Sequence, residues 1–302
     1  MNKSAKLLKQ RLNPLNDFLF YKIMGEKGDE VQLLGFINAV LGKTGDDRFT
    51  SVEIIENKSF TPKVIGDKAS TLDVRAVLQG KTRVNIEIQV RNQYNMDRRS
   101  LFYWSKEYAE SLKKGQDYQK LPNVIAINIV NFNFPPVHNF HTRFHLREDS
   151  DRDMVLTDAL EIHFINMVQY RKQARKGMMN DPLSRWMAWL NAKSPPELLA
   201  EVVKMDSAIQ MADERMVYVT GDKEAVRAYE RRQMALSDYN SAINYARDEG
   251  HRKGMKKGMT KGRQESTLEI AQKMKAMGDS IEKIHTITGL PIETIEQLSN
   301  NN

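Results

Sequence analysis

The segment NVIAINIVNF, residues 123–132, is apolar at odd and at even positions alike. A strand with one solvent-exposed face alternates between apolar and polar side chains, whereas a strand covered on both faces is apolar throughout. The segment therefore predicts a central strand of a sheet that carries other elements on each side. A strand of this kind is typical of an α/β or α+β domain.

The segments around this strand predict the rest of that domain. Apolar residues at helical spacing, each run closed by a glycine, predict helices in NDFLFYKIMG and DEVQLLGFINAVLG. The predicted order is helix at 16–25, helix at 29–42, strand at 50–60, hairpin at 71–90, helix at 96–114, and strands at 123–132, 137–146 and 160–168. We expect these elements to form one α/β unit of residues 1–171.

The chain after this unit carries helical segments and no further strand pattern. We expect a helical region at 172–249, a linker with repeated glycines and basic residues at 250–264, and a small helical tail at 265–302. Glycine and proline punctuation divides the tail into short helices, which is typical of a helix-turn-helix-like end.

Composition excludes several classes of protein. Cysteine is absent from the 302 residues, which excludes disulfides and zinc held by cysteine. The chain has no apolar run near the length that spans a bilayer, and its basic N-terminus lacks the apolar centre of a secretory signal. We therefore expect a cytoplasmic protein without a membrane partner.

The net charge of +7 is concentrated in one short run. Six basic residues and no acid lie between Arg252 and Arg263, and the rest of the chain is close to neutral. Glycine recurs there at every fourth position, at a cost of about 0.8–1.0 kcal/mol per glycine in a helix. We expect a segment that is flexible or stabilised by a partner. Its cations are either phosphate contacts for DNA or part of a solubilising linker.

The hairpin TLDVRAVLQGKTRVNIEIQV interrupts an apolar alternation with acids and amides. Its alternation puts Asp73 on one face of the first strand and Glu87 and Gln89 on one face of the second. If Gln79 pairs with Arg83, these polar faces coincide, with Asp73 opposite Gln89 and diagonal to Glu87. Carboxylates on diagonal neighbours, with Cβ atoms roughly 7–8 Å apart, can both reach one hard cation.

Two interpretations of that polar face remain open on the residues alone. Half-exposed hairpins carry polar residues at every second position, so the face can be merely solvated. Two acids on adjacent strands repel each other unless a cation neutralises them, and Arg75 on the same face is a candidate for that role. A metal ion is the other candidate.

Five blocks of the sequence resemble the recombination-promoting nuclease (Rpn) family of transposases, in the broad PD-(D/E)XK nuclease group. The blocks are NDFLFYKIMG, LDVRAV, VNIEIQV, RRSLFYWSKEYAESLKKGQDY and NVIAINIVNF, in this order. The similarity extends from about Leu12 into the C-terminal tail. It implies a restriction-endonuclease-like core, a mixed sheet flanked by helices, followed by an all-helical region.

The resemblance also implies the chemistry of the hairpin. Asp73 and Glu87 match the two acids that bind the metal, which is Mg²⁺ or another divalent cation such as Mn²⁺ or Ca²⁺. Gln89 stands where the wider group has Lys, in the E-x-Q pattern of the Rpn family. A neutral amide can orient water through hydrogen bonds but cannot act as a general base, so activation of water would depend mainly on the metal.

The implied function is a Mg²⁺-dependent endonuclease that cuts DNA and promotes recombination. The alternative is a non-catalytic DNA-binding or assembly protein that keeps the fold, because Gln89 departs from the commoner catalytic set. An RNA-cutting enzyme with the same site is a third, weaker hypothesis. The C-terminal helices either read DNA or join copies of the chain into a homo-oligomer.

The helix after the hairpin carries further candidates. Arg99, Tyr103, Lys106 and Glu110 recur on one face, whereas Leu101 lies on the face expected to pack in the core. The first two match the R-x-x-x-Y block of the Rpn family, and with Lys106 they would bind substrate phosphate. A solvated face with Lys106 paired to Glu110 explains the same pattern.

Asp17, in the first predicted helix, is the last candidate. Many nucleases of the wider group place an accessory acid there. Capping of the helix start, beside Asn16, explains Asp17 equally well.

Overall fold

The computed structural model of the protein describes residues 11–55, 73–174 and 178–298. Residues 56–60 of the predicted strand and residues 71–72 of the predicted hairpin therefore lie outside the described residues. In chain order the elements are α1 Asp17–Met24, α2 Glu30–Val40, β1 Val52–Ile54, β2 Val74–Leu78, β3 Thr82–Gln89, α3 Met96–Glu110, β4 Val124–Val130, β5 His141–Phe144, β6 Leu160–Asn166, α4 Met167–Gln173, α5 Pro182–Leu190, α6 Pro196–Met205, α7 Ser207–Gly221, α8 Lys223–Ala276, α9 Ile281–Thr288 and α10 Ile292–Gln297.

The described strands form a six-stranded mixed sheet in the order β1-β2-β3-β4-β6-β5. In the centre of the sheet, β3, β4 and β6 run parallel to one another. The outer pairs, β1 with β2, β2 with β3, and β5 with β6, are antiparallel. Every residue of β4 is buried, as its unbroken apolar sequence predicts. Helix α3 connects the parallel pair β3 and β4, the usual way to join parallel neighbours.

The two faces of the sheet are covered by different helices. On one face, alternate strand residues such as Ile86 and Ile127 join a large core with helices α1, α2, α5 and α7. The tryptophans of α5, Trp186 and Trp189, are fully buried in that core. On the other face, Met96 at the start of α3 packs with β4 and β6 in a smaller cluster. The predicted fold class is confirmed: an α/β core with a mixed sheet flanked by helices, followed by a helical region.

Helix α1 begins and ends where its sequence predicts. The side chain of Asn16 accepts a hydrogen bond from the backbone N–H of Leu19, which caps the first turn. Gly25 ends the helix through a backbone hydrogen bond to Tyr21. Asn16 is therefore the cap, and Asp17 lies in the first turn with its carboxylate available for other contacts.

Gly35 allows α2 to approach α7 closely. A Cβ atom on Gly35 would meet the Cβ of Ala208 far inside normal carbon–carbon contact distance. We expect Gly35→Ala to lower the free energy of unfolding by about 1–3 kcal/mol through overpacking. Urea unfolding followed by tryptophan fluorescence measures this, because all three tryptophans lie within residues 104–189.

Gly254→Ala is the matched control for this substitution. A Cβ on Gly254 meets no described atom within 4 Å, and the residue lies in α8, far along the chain from the tryptophans. We expect its tryptophan-monitored transition to match that of the wild type. An unchanged transition for Gly35→Ala would contradict the close approach of the two helices.

The chain divides into two compact units, residues 1–235 and 236–302. The sheet and helices α4 to α7 belong to the first unit. In the second unit, Ala271, Met274, Ile284 and Ile295 form a small core beneath α9 and α10. None of the helices in the described ranges is long and apolar enough to span a bilayer.

Residues 250–264, expected to be flexible or stabilised by a partner, are part of the continuous helix α8. Ion pairs one turn apart support the helix there, including Lys253 with Glu249 at 3.2 Å and Lys261 with Glu265 at 3.6 Å. Such pairs contribute a few tenths of a kcal/mol each and partly offset the cost of the glycines.

Candidate active site

The hairpin register differs by two residues from the one predicted. Val77, rather than Gln79, pairs with Arg83. A shift of two residues preserves which side chains share a face, because side chains alternate with a period of two. The observed register, continued by one residue, places Asp73 directly opposite Glu87 instead of diagonal to it. The two acids are therefore nearest neighbours across the antiparallel pair.

Both acids are withdrawn from solvent, and each has an oxygen without a partner. Glu87 is fully buried in the middle of the sheet, and Asp73 is half-buried at the start of β2. Among the described residues, Asp73 Oδ1 and Glu87 Oε2 are buried without a hydrogen-bond partner. Buried polar atoms without a partner are rare and costly in native proteins, so this pair of oxygens calls for a ligand.

The electrostatics of the pair are correspondingly unfavourable. Burial, together with the neighbouring Glu87 carboxylate, raises the pKa of Asp73 to about 7 against the opposing charges of Arg99 and Arg75. Burial also raises the pKa of Glu87, with Arg99 acting in the opposite direction. Two adjacent buried carboxyl groups disfavour the doubly ionised state. A bound cation would favour it.

Arg99 is the main positive partner of Glu87. Its Nε donates to Glu87 Oε1 at 2.7 Å, and its guanidinium lies 5.0 Å from the ring centroid of Tyr103. The two residues proposed to bind phosphate thus lie together at the acids. Arg75, the other candidate for neutralising the acids, donates instead from Nε to Glu107 Oε2 at 2.8 Å.

Glu107 anchors α3 to the hairpin and was not foreseen in the sequence. It is buried and accepts from Arg75 on β2 and from Arg83 on β3, the latter at 2.7 Å. The signal available was two arginines on the polar hairpin face, which need an acid from the helix that covers them. The prediction that Leu101 packs in the core is wrong, because its side chain is half exposed. Helix α3 contacts the sheet instead through the side that carries Met96.

Asp17 lies within electrostatic range of Asp73, since its charge also raises the pKa of Asp73. Arg232 of α8 forms an ion pair with Asp17 Oδ2 at 3.0 Å, and the backbone N–H of Phe18 donates to Oδ1. Burial raises the pKa of Asp17, against the opposing charge of Arg232. Arg232 lies so far along the chain from Asp17 that no local sequence signal indicates their contact.

The remaining predicted residues are described by their own local contacts and exposure. Gln89, at the end of β3, donates from Nε2 to the backbone oxygen of Arg91 at 3.0 Å. Lys106 is exposed and lies 3.9 Å from Glu110 on the next turn. Three lysines of the second unit were also predicted to bind substrate, and all three are exposed on α8: Lys253, Lys256 and Lys257.

Comparison of the sequence with models of protein families identifies the family of the chain. The sequence model described as PD-(D/E)XK nuclease family transposase matches residues 14–246, well over half of the chain. The chain belongs to this family. No curated protein and no solved structure matches it. The match includes the hairpin acids, Arg99 and Tyr103, and the resemblance to Rpn-type transposases is consistent with it.

PD-(D/E)XK nucleases generally use divalent metal ions, and the donors present here fit such an ion. Asp73 and Glu87 supply hard carboxylate oxygens, the type that Mg²⁺ prefers, and one oxygen of each is buried without a partner. Across the described ranges, no group of three or more His, Asp or Glu residues is arranged to hold a metal. Asp73 and Glu87 are the described residues that would hold a cation here.

Proposed function

We propose that the protein is a metal-dependent DNA endonuclease that promotes recombination, as a transposase does, by hydrolysing phosphodiester bonds. The observation that carries the proposal is the pair of buried acids on adjacent strands, each with an oxygen that has no partner. Its family makes a nuclease role the natural use of these acids.

Each residue of the site has a distinct part in this proposal. Asp73 and Glu87 would hold the cation, and the bond of Glu87 Oε1 to Arg99 leaves Oε2 of the same carboxylate without a partner. The bound cation would activate water and offset charge on the phosphate. Arg99 and Tyr103 orient the phosphate, and Gln89 orients the attacking water through its amide, since it has no basic group. Asp17 is an accessory acid at the border of the site.

DNA is the proposed partner, and the second unit is proposed to help bind it. The exposed lysines of α8, Lys253, Lys256 and Lys257, would contact phosphates without regard to sequence. The small helical core at the C-terminus is proposed to join copies of the chain in a homo-oligomer.

A plasmid-nicking assay tests the function. We expect the full-length chain to convert supercoiled plasmid into nicked or linear DNA with Mg²⁺ or Mn²⁺, and to lose this activity when EDTA removes the cation. Ca²⁺ is included as a further divalent cation. A folded wild type that cuts under no divalent cation would instead support the alternative, a DNA-binding or assembly protein with the nuclease fold.

A further inference from the structure

Two aromatic side chains close in sequence to the candidate site residues are exposed. Phe102 of α3 is 61% exposed, and Tyr94, in the loop between β3 and α3, is 91% exposed. Helix α3 packs on the sheet through Met96 and its neighbours and is anchored by Glu107, so Phe102 is not needed to hold it there.

Phe102 is connected to the acids by a short chain of contacts. Glu87 binds Arg99, the Arg99 guanidinium stacks on Tyr103, and the Tyr103 ring meets the Phe102 ring edge-to-face at a centroid distance of 5.6 Å. The exposed ring is thus linked to the buried Glu87 carboxylate through two side chains, Tyr103 and Arg99.

Charged residues on both sides identify the kind of partner that this surface fits. Arg98 lies one helical turn before Phe102 and Lys106 one turn after it, and both are exposed. An aromatic ring with one cation a helical turn before it and another a helical turn after it suits single-stranded nucleic acid. The bases stack on the ring while the phosphates contact the cations. The ion pair of Lys106 with Glu110 is exposed and therefore weak, so a phosphate can replace it.

Tyr94 supports the same interpretation from the loop. It lies midway between Gln89 and Arg99 in the sequence, and its φ of 58° is one that bulky side chains rarely adopt. Its backbone N–H donates to Asn92 Oδ1 at 2.9 Å, which fixes the turn. A conformation of this kind is strained, and the nearly complete exposure of the ring means that packing does not offset the strain.

We propose that Phe102 and Tyr94 stack on unpaired nucleobases beside the phosphate to be cut, so that the substrate is DNA with unpaired bases at the cleavage site. This inference rests on the proposed nuclease function. Bases of an intact duplex are stacked on each other and do not present their faces to a side chain, so only unpaired bases can use these rings. Specificity then comes from the structure of the DNA and not from its sequence.

Binding in EDTA, where cutting does not interfere, tests the proposal with the full-length chain. The probes are a fluorescein-labelled DNA duplex and the same duplex with a short single-stranded gap, and anisotropy gives the dissociation constants. Stacking is worth about 1–3 kcal/mol per base, so Phe102→Ala should weaken binding to the gapped probe by about 5- to 100-fold. Binding to the intact duplex should change by less than about 2-fold, and Phe102→Tyr should bind the gapped probe like the wild type.

Tyr118→Ala is the matched control, because Tyr118 is an exposed aromatic residue beyond the far end of α3. It should bind both probes like the wild type. Equal losses on both probes for Phe102→Ala, or no loss on either, would overturn the proposal. A change in oligomeric size without a change in DNA binding would instead identify the surface as a protein contact and also overturn it.

The plasmid assay separates this proposal from the function on which it rests. Cutting of intact and gapped DNA at equal rates, unaffected by Phe102→Ala, would leave the nuclease function standing and remove the base contact. If the protein cuts no DNA and Phe102→Ala still loses binding to the gapped probe alone, the base contact stands and the nuclease function is removed.

Discussion

Replacing Glu87 by Gln is expected to reduce the rate of plasmid cutting by at least about 100-fold while the protein stays folded. The amide keeps the size of the side chain, and its oxygen can still accept the hydrogen bond from Arg99. The substitution removes the charge that would hold the cation. A bound metal is worth several kcal/mol of transition-state stabilisation, which corresponds to a loss of this size. Initial rates of plasmid nicking at a fixed, saturating concentration of Mg²⁺ measure the effect.

Glu161→Gln is the matched control for this variant. Glu161 is also a strand carboxylate with a hydrogen-bonded partner, His163 at 2.8 Å, but its side chain lies on the opposite face of the sheet from Glu87. We expect it to cut at close to the wild-type rate. Undiminished cutting by Glu87→Gln would remove Glu87 from the site, and equal losses in both variants would point to a general effect on folding.

Replacing Asp73 by Asn is expected to stabilise the metal-free protein, by on the order of 2 kcal/mol at pH 8. The folded protein raises the pKa of Asp73 to about 7 through burial and through Glu87, so it disfavours the charged carboxylate. A raised pKa gives a contribution to stability that is fully present below the unfolded value of 3.8 and is lost as the pH rises through about 7. The gain from Asn should therefore be largest at pH 8 and should shrink towards pH 4.

Urea unfolding in EDTA, followed by tryptophan fluorescence at both pH values, measures this gain. Adding Mn²⁺ should then stabilise the wild type, by about 2.7 kcal/mol at one hundred times its dissociation constant, and stabilise Asp73→Asn much less. A variant that is less stable than the wild type at pH 8 would contradict the picture of repelling acids. An equal response of both proteins to Mn²⁺ would show that Asp73 does not bind the ion.

The polar face of the hairpin could be predicted from sequence, but its register could not. Alternation alone assigns Asp73 and Glu87 to one face, and that assignment survives any shift by two residues. The register depends on the turn, where Gln79 and Gly80 both have a positive φ and Lys81 N–H bonds to Leu78 O. A positive φ at Gln79 is not a conformation that its side chain indicates.

Contacts between distant segments account for most of what the sequence did not reveal. The bond of Arg99 to Glu87 and the exposure of Leu101 both follow from how α3 is rotated on the sheet. Glu107 and its two arginines determine that rotation, and helical periodicity carries no information about it. Residues 250–264 are helical although glycine recurs there, because glycine propensity is a weak guide once a helix is extended from both ends.

The two oxygens of Glu87 have different surroundings, which affects how the site could bind a cation. One oxygen is held by Arg99 and the other has no partner, so a cation and the guanidinium can occupy the same carboxylate at once. Neither would have to displace the other, because a carboxylate has two acceptor oxygens. A cation bound there, as proposed, would add positive charge beside a guanidinium that is already in position.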